Sequence, residues 1–521
     1  MKYPIGIQTF EHIIKNGFVY VDKTDMVYAL ATEGKTYFLS RPRRFGKSLL
    51  LSTLRAYFEG KKELFKGLKI DKLEKDWHVH RVFHFDFNSV NFTQPNALEE
   101  TLDYELSQWE KEYGIEAEFK NQFGLRLEKI LQVAAEQTGH GAVVLIDEYD
   151  KPLLDVLEMD PELLNNNREI LKGFYSTFKK ADAYLRFVFL TGVTKFSQVS
   201  VFSGFNQPKD ISMYEQFEAL CGITEEELHT QFAKPIREMA QAENCTEEEI
   251  KLRLKKHYDG YHFSKQMTDI YNPFSVLNSF DSKDIRDFWF ATGTPTYLIR
   301  LMNHFNEGID ELTGREYSLD EFVNYKADTE YPLPMIYQSG YLTIKNYDRE
   351  MDMFLLDFPN NEVKRGFLAM VASNYLQSGQ PMDSWIKRAV LSLRRGQIDQ
   401  FRQMLTAFLA SIPYSMRRKD EERERERYFQ YTFYLLLRLM SVYTVYIEKE
   451  QSEGRVDCVI ETPQFVYIFE FKLDGTAAGA LQQIEDKGYA REYEADARPI
   501  HKIGVNFSSE TGTIEGWACA E

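Results

Sequence analysis

The stretch that most constrains this chain is an apolar segment that runs through a basic turn into Gly46-Lys47-Ser48 and then into a helix-like run at residues 49–58. In a Walker A loop, backbone N–H groups at a helix N-terminus hold phosphates, a lysine reaches the β- and γ-phosphates, and a serine hydroxyl binds Mg²⁺. The order of these segments therefore predicts a nucleotide phosphate site. Its predicted residues are Arg43, Arg44, Phe45, Gly46, Lys47 and Ser48.

One position departs from the full motif, because Arg41 stands where a glycine is usual. A side chain there opposes the positive φ that a tight entry turn needs. The alternative interpretation is a basic surface loop between a strand and a helix. Arg43 and Arg44 either clamp the negative charge of the phosphates or are simply solvated. The sequence does not assign an arginine finger.

An acidic pair follows a second apolar run, in which residues 142–146 end in Asp147 and Glu148. A buried parallel strand delivers the residues at its C-terminal end to a ligand crevice. We predict a Walker B element, in which Asp147 completes the Mg²⁺ shell through water and Glu148 orients or polarises the attacking water. The alternative is a strand that ends in solvated acids.

A further apolar strand at residues 185–190 leads into Thr191 and Thr194. Polar residues at the end of the strand beside Walker B sense the γ-phosphate in AAA-type ATPases, and the alternative is simple strand-end capping. Alternating strands and helices predict a parallel sheet covered by helices on both faces. Residues 17–24 either flank a nucleotide base or form a capped turn.

The middle of the chain changes character from about residue 224. An acidic helical stretch predicts a lid or linker subdomain with a solvated face. Residues 337–344 and 353–358 alternate like a hairpin, which after helices suggests a winged-helix subdomain that either contacts DNA or packs against the ATPase. His262 is predicted to be a packed core histidine, since no second metal-ligand candidate stands at useful spacing.

A second site is predicted in the last hundred residues, on a hairpin of two strands at residues 454–460 and 465–472. Asp457 lies on the first strand, and Glu470 and Lys472 share one face of the second. Two carboxylates that bind a cation, beside a lysine that positions the nucleophile or offsets charge, suit a Mg²⁺-dependent phosphodiester hydrolase. The alternative is an ordinary surface hairpin with a Glu/Lys pair.

Three further residues support this second site. Glu426, on an upstream helix, is a candidate third metal ligand, and Gln483 and Tyr489, on a downstream helix, are candidates to line the cleft. This layout of helix, hairpin and helix is that of the PD-(D/E)xK nuclease fold. The proline of that motif is absent, since Val456 precedes Asp457.

Composition limits the remaining classes. A formal net charge of -17 argues against a protein that coats nucleic acid non-specifically, without excluding a local basic cleft. Four cysteines without a CxxC pair fit a reducing compartment. We find no signal peptide, and the most apolar stretch, residues 431–447, is broken by Arg438, so we expect a cytoplasmic protein that does not interact with membranes.

Both sites together resemble a bacterial family that joins an AAA-ATPase-like domain to a C-terminal PD-(D/E)xK nuclease-like domain. The segments that carry the resemblance are 20–24, 41–48, 147–150, 191–196, 271–273, 339–341, 454–457 and 470–472. Arg41 also fits that family's own phosphate-loop pattern. The resemblance implies an ATPase coupled to a nuclease domain, and it implies no particular substrate. We expect ATP and Mg²⁺ as cofactors, with Mg²⁺ or Mn²⁺ at the nuclease site. We also expect a nucleic acid as partner, with DNA favoured over RNA, and an oligomer is compatible with this organisation. A second hypothesis is a nucleotide-switched signalling or scaffold ATPase whose nuclease-like domain only binds a nucleic acid or a protein.

The predicted organisation is an α/β chain of four regions. They are an AAA-like P-loop ATPase domain at 1–222, a helical lid and winged-helix-like subdomain at 223–360, a helical linker at 361–420 and a restriction-endonuclease-like α/β domain at 421–521.

Overall fold

A computed structural model divides the chain into two compact units, Met1–Lys364 and Arg365–Glu521. The structure describes residues 1–116, 119–195, 208–289, 312–323, 332–376, 382–412, 432, 435–436, 444–451 and 454–520. The finer predicted boundaries, after residues 222, 360 and 420, stay predictions.

The first unit is built on a five-stranded parallel sheet. Its strands are β1 (Thr36–Ser40), β2 (Val82–Asp86), β3 (Ala142–Asp147), β4 (Leu185–Gly192) and β5 (Lys209–Asp210). Their order is β2-β3-β4-β1-β5, and every neighbouring pair runs parallel. Every residue of β3 is buried, as expected for a continuous apolar run with both faces covered. The predicted P-loop-type sheet is confirmed.

Helices surround this sheet and extend beyond it. They are α1 (Phe10–Lys15), α2 (Thr24–Glu33), α3 (Lys47–Phe58), α4 (Lys69–Leu73), α5 (Ala97–Tyr113), α6 (Phe123–Thr138), α7 (Lys151–Leu154), α8 (Pro161–Lys180), α9 (Glu225–Gln231), α10 (Ala233–Glu243), α11 (Glu247–Tyr258), α12 (Pro273–Ser282), α13 (Leu319–Val323) and α14 (Leu333–Gln338). Two of them, α9 and α11, begin with capping boxes at Thr224 and Thr246. Each box satisfies two backbone donors at its helix start.

The rest of the first unit carries two small antiparallel sheets. One pairs β6 (Ile223–Thr224) with β7 (Ile270–Tyr271), and the other has the order β8-β10-β9, formed by β8 (Arg315–Tyr317), β9 (Thr343–Asp348) and β10 (Met353–Asp357). The predicted hairpin was wrong in its first half: Tyr337 and Gln338 end helix α14, because Pro334 stands in the first turn of that helix and Gly340, at φ 86°, follows its C-cap Ser339. The winged-helix assignment stays a prediction.

The second unit carries a mixed sheet of five strands in sequential order. They are β11 (Thr444–Gln451), β12 (Gly454–Glu461), β13 (Val466–Leu473), β14 (Ile500–Ser508) and β15 (Thr513–Ala520), and only the β13–β14 pair is parallel. Helix α15 (Asn361–Leu376) begins at the end of the first unit; α16 (Met382–Arg394), α17 (Ile398–Ala410) and α18 (Ala477–Asp486) follow it. Helix α18 makes the crossover that a parallel pair requires.

Among the described residues, no helix has both the length and the apolar character needed to cross a membrane. His262 is largely buried, with its ring nitrogens at 2.6 Å from the carbonyl of Ile344 and 2.8 Å from Asp269. The predicted packed histidine is therefore a hydrogen-bonded one.

Candidate functional site

The phosphate loop joins β1 to α3, and its backbone is left-handed at two residues. These are Arg44, at φ 67°, and Gly46, at φ 94°, which is the N-cap of α3. Glycine adopts this conformation without steric cost. Since α3 is 12 residues long, its N-terminus carries unsatisfied N–H groups and a partial positive charge that suit a phosphate.

Lys47 is held between the loop and the acidic turn after β3. Its ammonium lies 3.1 Å from the carbonyl oxygen of Arg41 and 3.4 Å from Oε1 of Glu148. The backbone of Glu148 is itself left-handed, at φ 51°. Such strain costs about 1 kcal/mol or more and is concentrated at functional sites. The turn thus brings the predicted catalytic carboxylate to the predicted phosphate-binding lysine.

Asp147 is almost completely buried, and the side chain of Ser48 acts to lower its pKa. Burial, and then the charge of Glu148, raises the pKa of Asp147 to about 6. Asp86 adds negative charge, because it pairs with Asp147 in the register of β2 and β3. Sequence reasoning missed Asp86, although it ends an apolar strand as Asp147 does. This surplus of negative charge fits a divalent cation.

A cavity of about 430 Å³ opens over the loop. Its polar lining includes Arg43, Arg44, Gly46, Lys47, Ser48, Glu148, Asn88 and Lys151. Residues 4–8 and the side chains of Phe274, Leu277 and Asn278 complete it. No sequence pattern predicted that residues 4–8 would line this cavity. The alternative of a turn is confirmed for residues 17–24, since Asp22 accepts hydrogen bonds from the backbone N–H groups of Thr24 and Lys69.

Arg41 is a buried anchor of the loop. Its guanidinium donates to the carbonyls of Ser40 at 2.9 Å and Ser212 at 2.7 Å, and it lies 4.0 Å from the ring centroid of Phe263. Burial lowers the pKa of Arg41. Its φ is not positive, so the loop enters without the conformation for which the usual motif uses glycine.

We expect Arg41→Gly, which restores the usual glycine, to destabilise the protein by about 3 kcal/mol or more and to weaken ATP binding. The change leaves buried carbonyls without donors and removes the cation–π contact. Urea unfolding and titration with a fluorescent ATP analogue measure both effects. Arg43→Gly, an exposed position two residues along, is the matched control and should cost less than about 1 kcal/mol. An unchanged urea midpoint for Arg41→Gly would contradict the anchoring role.

The other loop side chains have separate roles. The ring of Phe45 is buried against Tyr261 and Phe263, at centroid distances of 4.7 and 5.6 Å, and does not line the cavity. Arg44 lies 5.1 Å from the ring centroid of Phe274, and the carbonyl of Arg43 accepts a hydrogen bond from the indole of Trp289. Phe45 therefore fixes the loop, while Arg43 and Arg44 border the cavity.

The two threonines predicted as sensors differ in their surroundings. The hydroxyl of Thr194 donates to Oδ2 of Asp150 at 2.7 Å, an oxygen that also accepts from the backbone of Thr194 and Val193. Burial, followed by the charge of Glu148, raises the pKa of Asp150 to about 6. The hydroxyl of Thr191 is buried without a hydrogen-bond partner among the described residues. Thr194 therefore orders the strand end, and the sensor role of Thr191 stays a prediction.

We expect Gly192→Ala to reduce ATP turnover at least about tenfold and to destabilise the protein by about 2 kcal/mol. A Cβ at Gly192 would lie 2.5 Å from Oδ1 of Asp150 and 2.7 Å from the ring of Tyr149. Asp150 must then move and lose its bonds to Thr194. Gly173→Ala on α8 has open space around the new methyl group, so it should leave turnover unchanged. Phosphate release and urea unfolding measure the pair, and equal effects of both variants would contradict the packing argument.

The second predicted site lies at the open end of the β12–β13 ladder. Cys458 pairs with Phe469, so the next residues on the two strands, Asp457 and Glu470, stand side by side. The backbone N–H of Phe471 donates to Oδ2 of Asp457 at 2.8 Å. The hairpin prediction and the placement of both carboxylates on it agree with the structure.

A chain of hydrogen bonds connects the polar residues of this site. Lys472 donates to Oε1 of Gln483 at 2.6 Å, and the amide of Gln483 donates to Oε1 of Glu470. Tyr489 donates to the carbonyl of Arg455 at 2.9 Å, and the charge of Glu470 adds to burial in raising the pKa of Tyr489. Gln483 therefore lies on α18 beside Glu470, whereas Tyr489 follows the end of that helix at Asp486 and does not lie on it as predicted. Their role in a cleft stays a prediction.

Glu470 is 2% exposed, and its Oε2 has no hydrogen-bond partner among the described residues. Burial, and then the charge of Asp457, raises the pKa of Glu470 to about 8. A buried oxygen without a donor, next to a second carboxylate, fits a divalent cation that takes the remaining ligands from water. No cluster of three or more His, Cys, Asp or Glu suited to a metal occurs in the described ranges, and the predicted ligand Glu426 lies outside them.

Comparisons with known proteins match both predicted domain types. Residues 4–202 match the family model described as a predicted AAA-ATPase, and residues 424–517 match the PD-(D/E)XK nuclease superfamily. A protein of Azotobacter chroococcum mcd 1, "Uncharacterized protein in vnfD 5'region", is 35% identical over 528 residues, covering 99% of this chain and 98% of the relative. The chain belongs to the family that joins these two domains.

Among solved structures, an Aeropyrum pernix ORC1 protein in complex with DNA is similar at 11% identity with a TM-score of 0.23, over 91% of this chain and 95% of that one. This similarity is too low to inform the function of the present AAA-ATPase-like protein.

Proposed function

We propose that this protein binds and hydrolyses ATP and that nucleotide controls a Mg²⁺-dependent nuclease, which cleaves phosphodiester bonds of DNA or RNA. The observation that carries the nuclease proposal is the buried carboxylate of Glu470, whose free oxygen stands beside Asp457. Glu470 is also joined through Gln483 to Lys472. A surface hairpin with an exposed Glu/Lys pair would have none of these features.

In the ATPase site, the N-terminus of α3 and Lys47 would hold the phosphates, and Ser48 and Asp147 would hold Mg²⁺. Lys47 now contacts loop carbonyls and Glu148. When phosphate replaces these contacts, Glu148 is released to accept the proton of the attacking water or to orient it. Arg43 and Arg44 border the same cavity and would offset negative charge on the phosphates.

In the nuclease site, Asp457 and Glu470 would hold Mg²⁺, and Gln483 would keep Glu470 in place. The cation stabilises charge on the phosphate and makes hydroxide available when bound. Lys472 would position the water or neutralise the developing charge on the phosphate. Glu470 must lose its proton to bind the cation, so its raised pKa ties cleavage to pH.

A chain of hydrogen bonds that leaves the phosphate loop supports nucleotide control. The indole of Trp289 donates to the carbonyl of Arg43 at 3.1 Å, and its backbone N–H donates to Glu362 at 2.7 Å. Glu362 belongs to α15, which continues to Leu376, past the last residue of the first unit. A change in the loop on nucleotide binding therefore has a hydrogen-bonded and covalent route to that helix.

The decisive experiment incubates the full chain with Mg²⁺ or Mn²⁺ and single- or double-stranded DNA or RNA, with and without ATP. We expect metal-dependent cleavage whose rate changes with ATP. Intact nucleic acid under every condition, together with ATP turnover, would instead favour the nucleotide-switched scaffold. One observation supports that second candidate: no third carboxylate joins Asp457 and Glu470 within the described residues.

A further inference from the structure

Helix α16 carries a basic face outside the residues that match the nuclease superfamily. Lys387, Arg388, Arg394 and Arg395 are exposed, and Leu391 between them is 44% exposed. Their spacing places all five residues on one side of the helix, with Arg395 as the first residue after its end. The opposite side, with Trp385, Ala389 and Leu393, is buried.

Among the side chains that the structure describes, no carboxylate lies in ion-pair range of these four cations, whereas many exposed lysines and arginines of the first unit have such a partner. Residues 382–412 hold five lysines and arginines and two aspartates, in a chain of net charge -17. A concentration of positive charge against the sign of the whole protein makes a local field that attracts polyanions.

The basic face is fixed to the sheet of the nuclease-like domain. The hydroxyl of Tyr467, on β13, donates to the carbonyl of Leu393 at 2.6 Å. The indole of Trp385 donates to the carbonyl of Met404 on α17 at 3.3 Å. After α16, Gly396 lies against Phe465 so closely that a Cβ would come within 2.9 Å of its ring. A ligand held by this face is therefore held at a defined position on the domain.

This position is on the other side of the sheet from the carboxylate site. Alternate residues of a strand point to opposite faces. Tyr467 and Phe469 face α16 and α17, with Phe469 and Phe401 rings 6.4 Å apart, whereas Glu470 faces Gln483 on α18. The cations on α16 therefore lie on the face of the sheet opposite to Glu470.

We infer that the exposed face of α16 binds the sugar-phosphate backbone of nucleic acid, independently of sequence, and holds the substrate on the nuclease-like domain. The inference rests on the proposed nucleic-acid substrate. Four cations along about two and a half helical turns match the regular negative charge of a strand. A single exposed leucine provides too little apolar surface for a membrane-binding helix.

The test uses the full chain with Glu470→Gln, so that binding is measured without cleavage. Lys387, Arg388, Arg394 and Arg395 are changed to Gln, and the probes are labelled single-stranded and duplex DNA of about 30 nucleotides or base pairs, titrated between about 50 and 200 mM NaCl. We expect affinity at the low salt to fall at least tenfold. We also expect the slope of the logarithm of the DNA-binding constant against the logarithm of salt concentration to become shallower by about 3. Changing only two of the four cations should reduce the slope by about half of that amount.

The matched control neutralises four cations that each have a carboxylate partner: Lys15, Arg55, Lys172 and Lys251. It makes the same change in net charge and should leave the slope unchanged. In the cleavage-competent chain, the α16 variant should raise KM and leave the single-turnover rate at saturation intact. If the α16 variant binds and cleaves DNA with an unaltered salt slope, the inference about α16 is overturned and the proposed nuclease is not. If the unmodified chain neither binds nor cleaves DNA, the proposed nuclease is overturned as well. If the α16 variant loses binding to anionic vesicles while its DNA binding is unchanged, the inference is overturned and the face binds a membrane surface instead.

Discussion

We expect ATP turnover to fall at least about a hundredfold when Lys47 is replaced by alanine, because this change removes the cation that would face the transferred phosphate. The ammonium of Lys47 is buried, and apart from loop carbonyls it contacts Glu148, 3.4 Å away. Alanine leaves the acidic turn without this cation, which helps to lower the pKa of Asp147. We expect ATP affinity to fall with turnover. Phosphate release and titration of a fluorescent ATP analogue measure the two effects.

The matched control is Lys35→Ala, in the same domain. Lys35 is partly exposed and pairs with Asp182 at 2.7 Å, away from the cavity. Exposed pairs of this kind contribute about 0–1 kcal/mol, so turnover should stay within twofold of the unmodified protein. A Lys47→Ala protein with turnover equal to that of Lys35→Ala would remove the ATPase proposal.

The strands that carry the two sites were predictable from sequence because their signals are local. The apolar run is a buried strand, and it ends at Asp147 as predicted. The hairpin that carries Asp457 and Glu470 has alternating residues and a turn between its strands. Short-range pattern suffices when a strand is fully buried or cleanly alternates.

The role of Arg41 was not predictable, because its partners lie far away in the chain. Ser212 and Phe263 are separated from it by 171 and 222 positions, and only the folded structure brings them together. The same holds for residues 4–8 at the cavity and for the link from Trp289 to Arg43. The error at Tyr337 had another cause: tertiary packing and the proline and glycine around α14 overrode a pattern of alternating residues.

Replacing Glu470 with glutamine should reduce cleavage at least about a thousandfold, because a neutral amide cannot bind the cation as a carboxylate does. The amide oxygen still accepts the hydrogen bond from Gln483, so the fold is retained. Lys472→Ala should also lose cleavage while Mg²⁺ still binds. Glu485→Gln, on the exposed side of α18, is the matched control and should cleave normally. Cleavage of a labelled substrate and calorimetric Mg²⁺ titration distinguish these three proteins.

The pH dependence gives the same variant a second, independent readout. The pKa of Glu470 is raised from 4.5 to about 8 in the folded protein, so between these values the folded state holds a proton that the unfolded state has lost. Stability from this group is complete below pH 4.5 and is lost as pH rises through about 8. Glu470→Gln should therefore flatten the decline of the urea midpoint between pH 5.5 and pH 8.5 in metal-free buffer. In the unmodified protein, Mg²⁺ affinity should fall about tenfold for each pH unit below 8, since the metal must displace that proton. A metal affinity independent of pH would show that Glu470 does not hold the cation. A decline in stability unaltered by Glu470→Gln would show that the pKa of Glu470 is not raised in the folded protein.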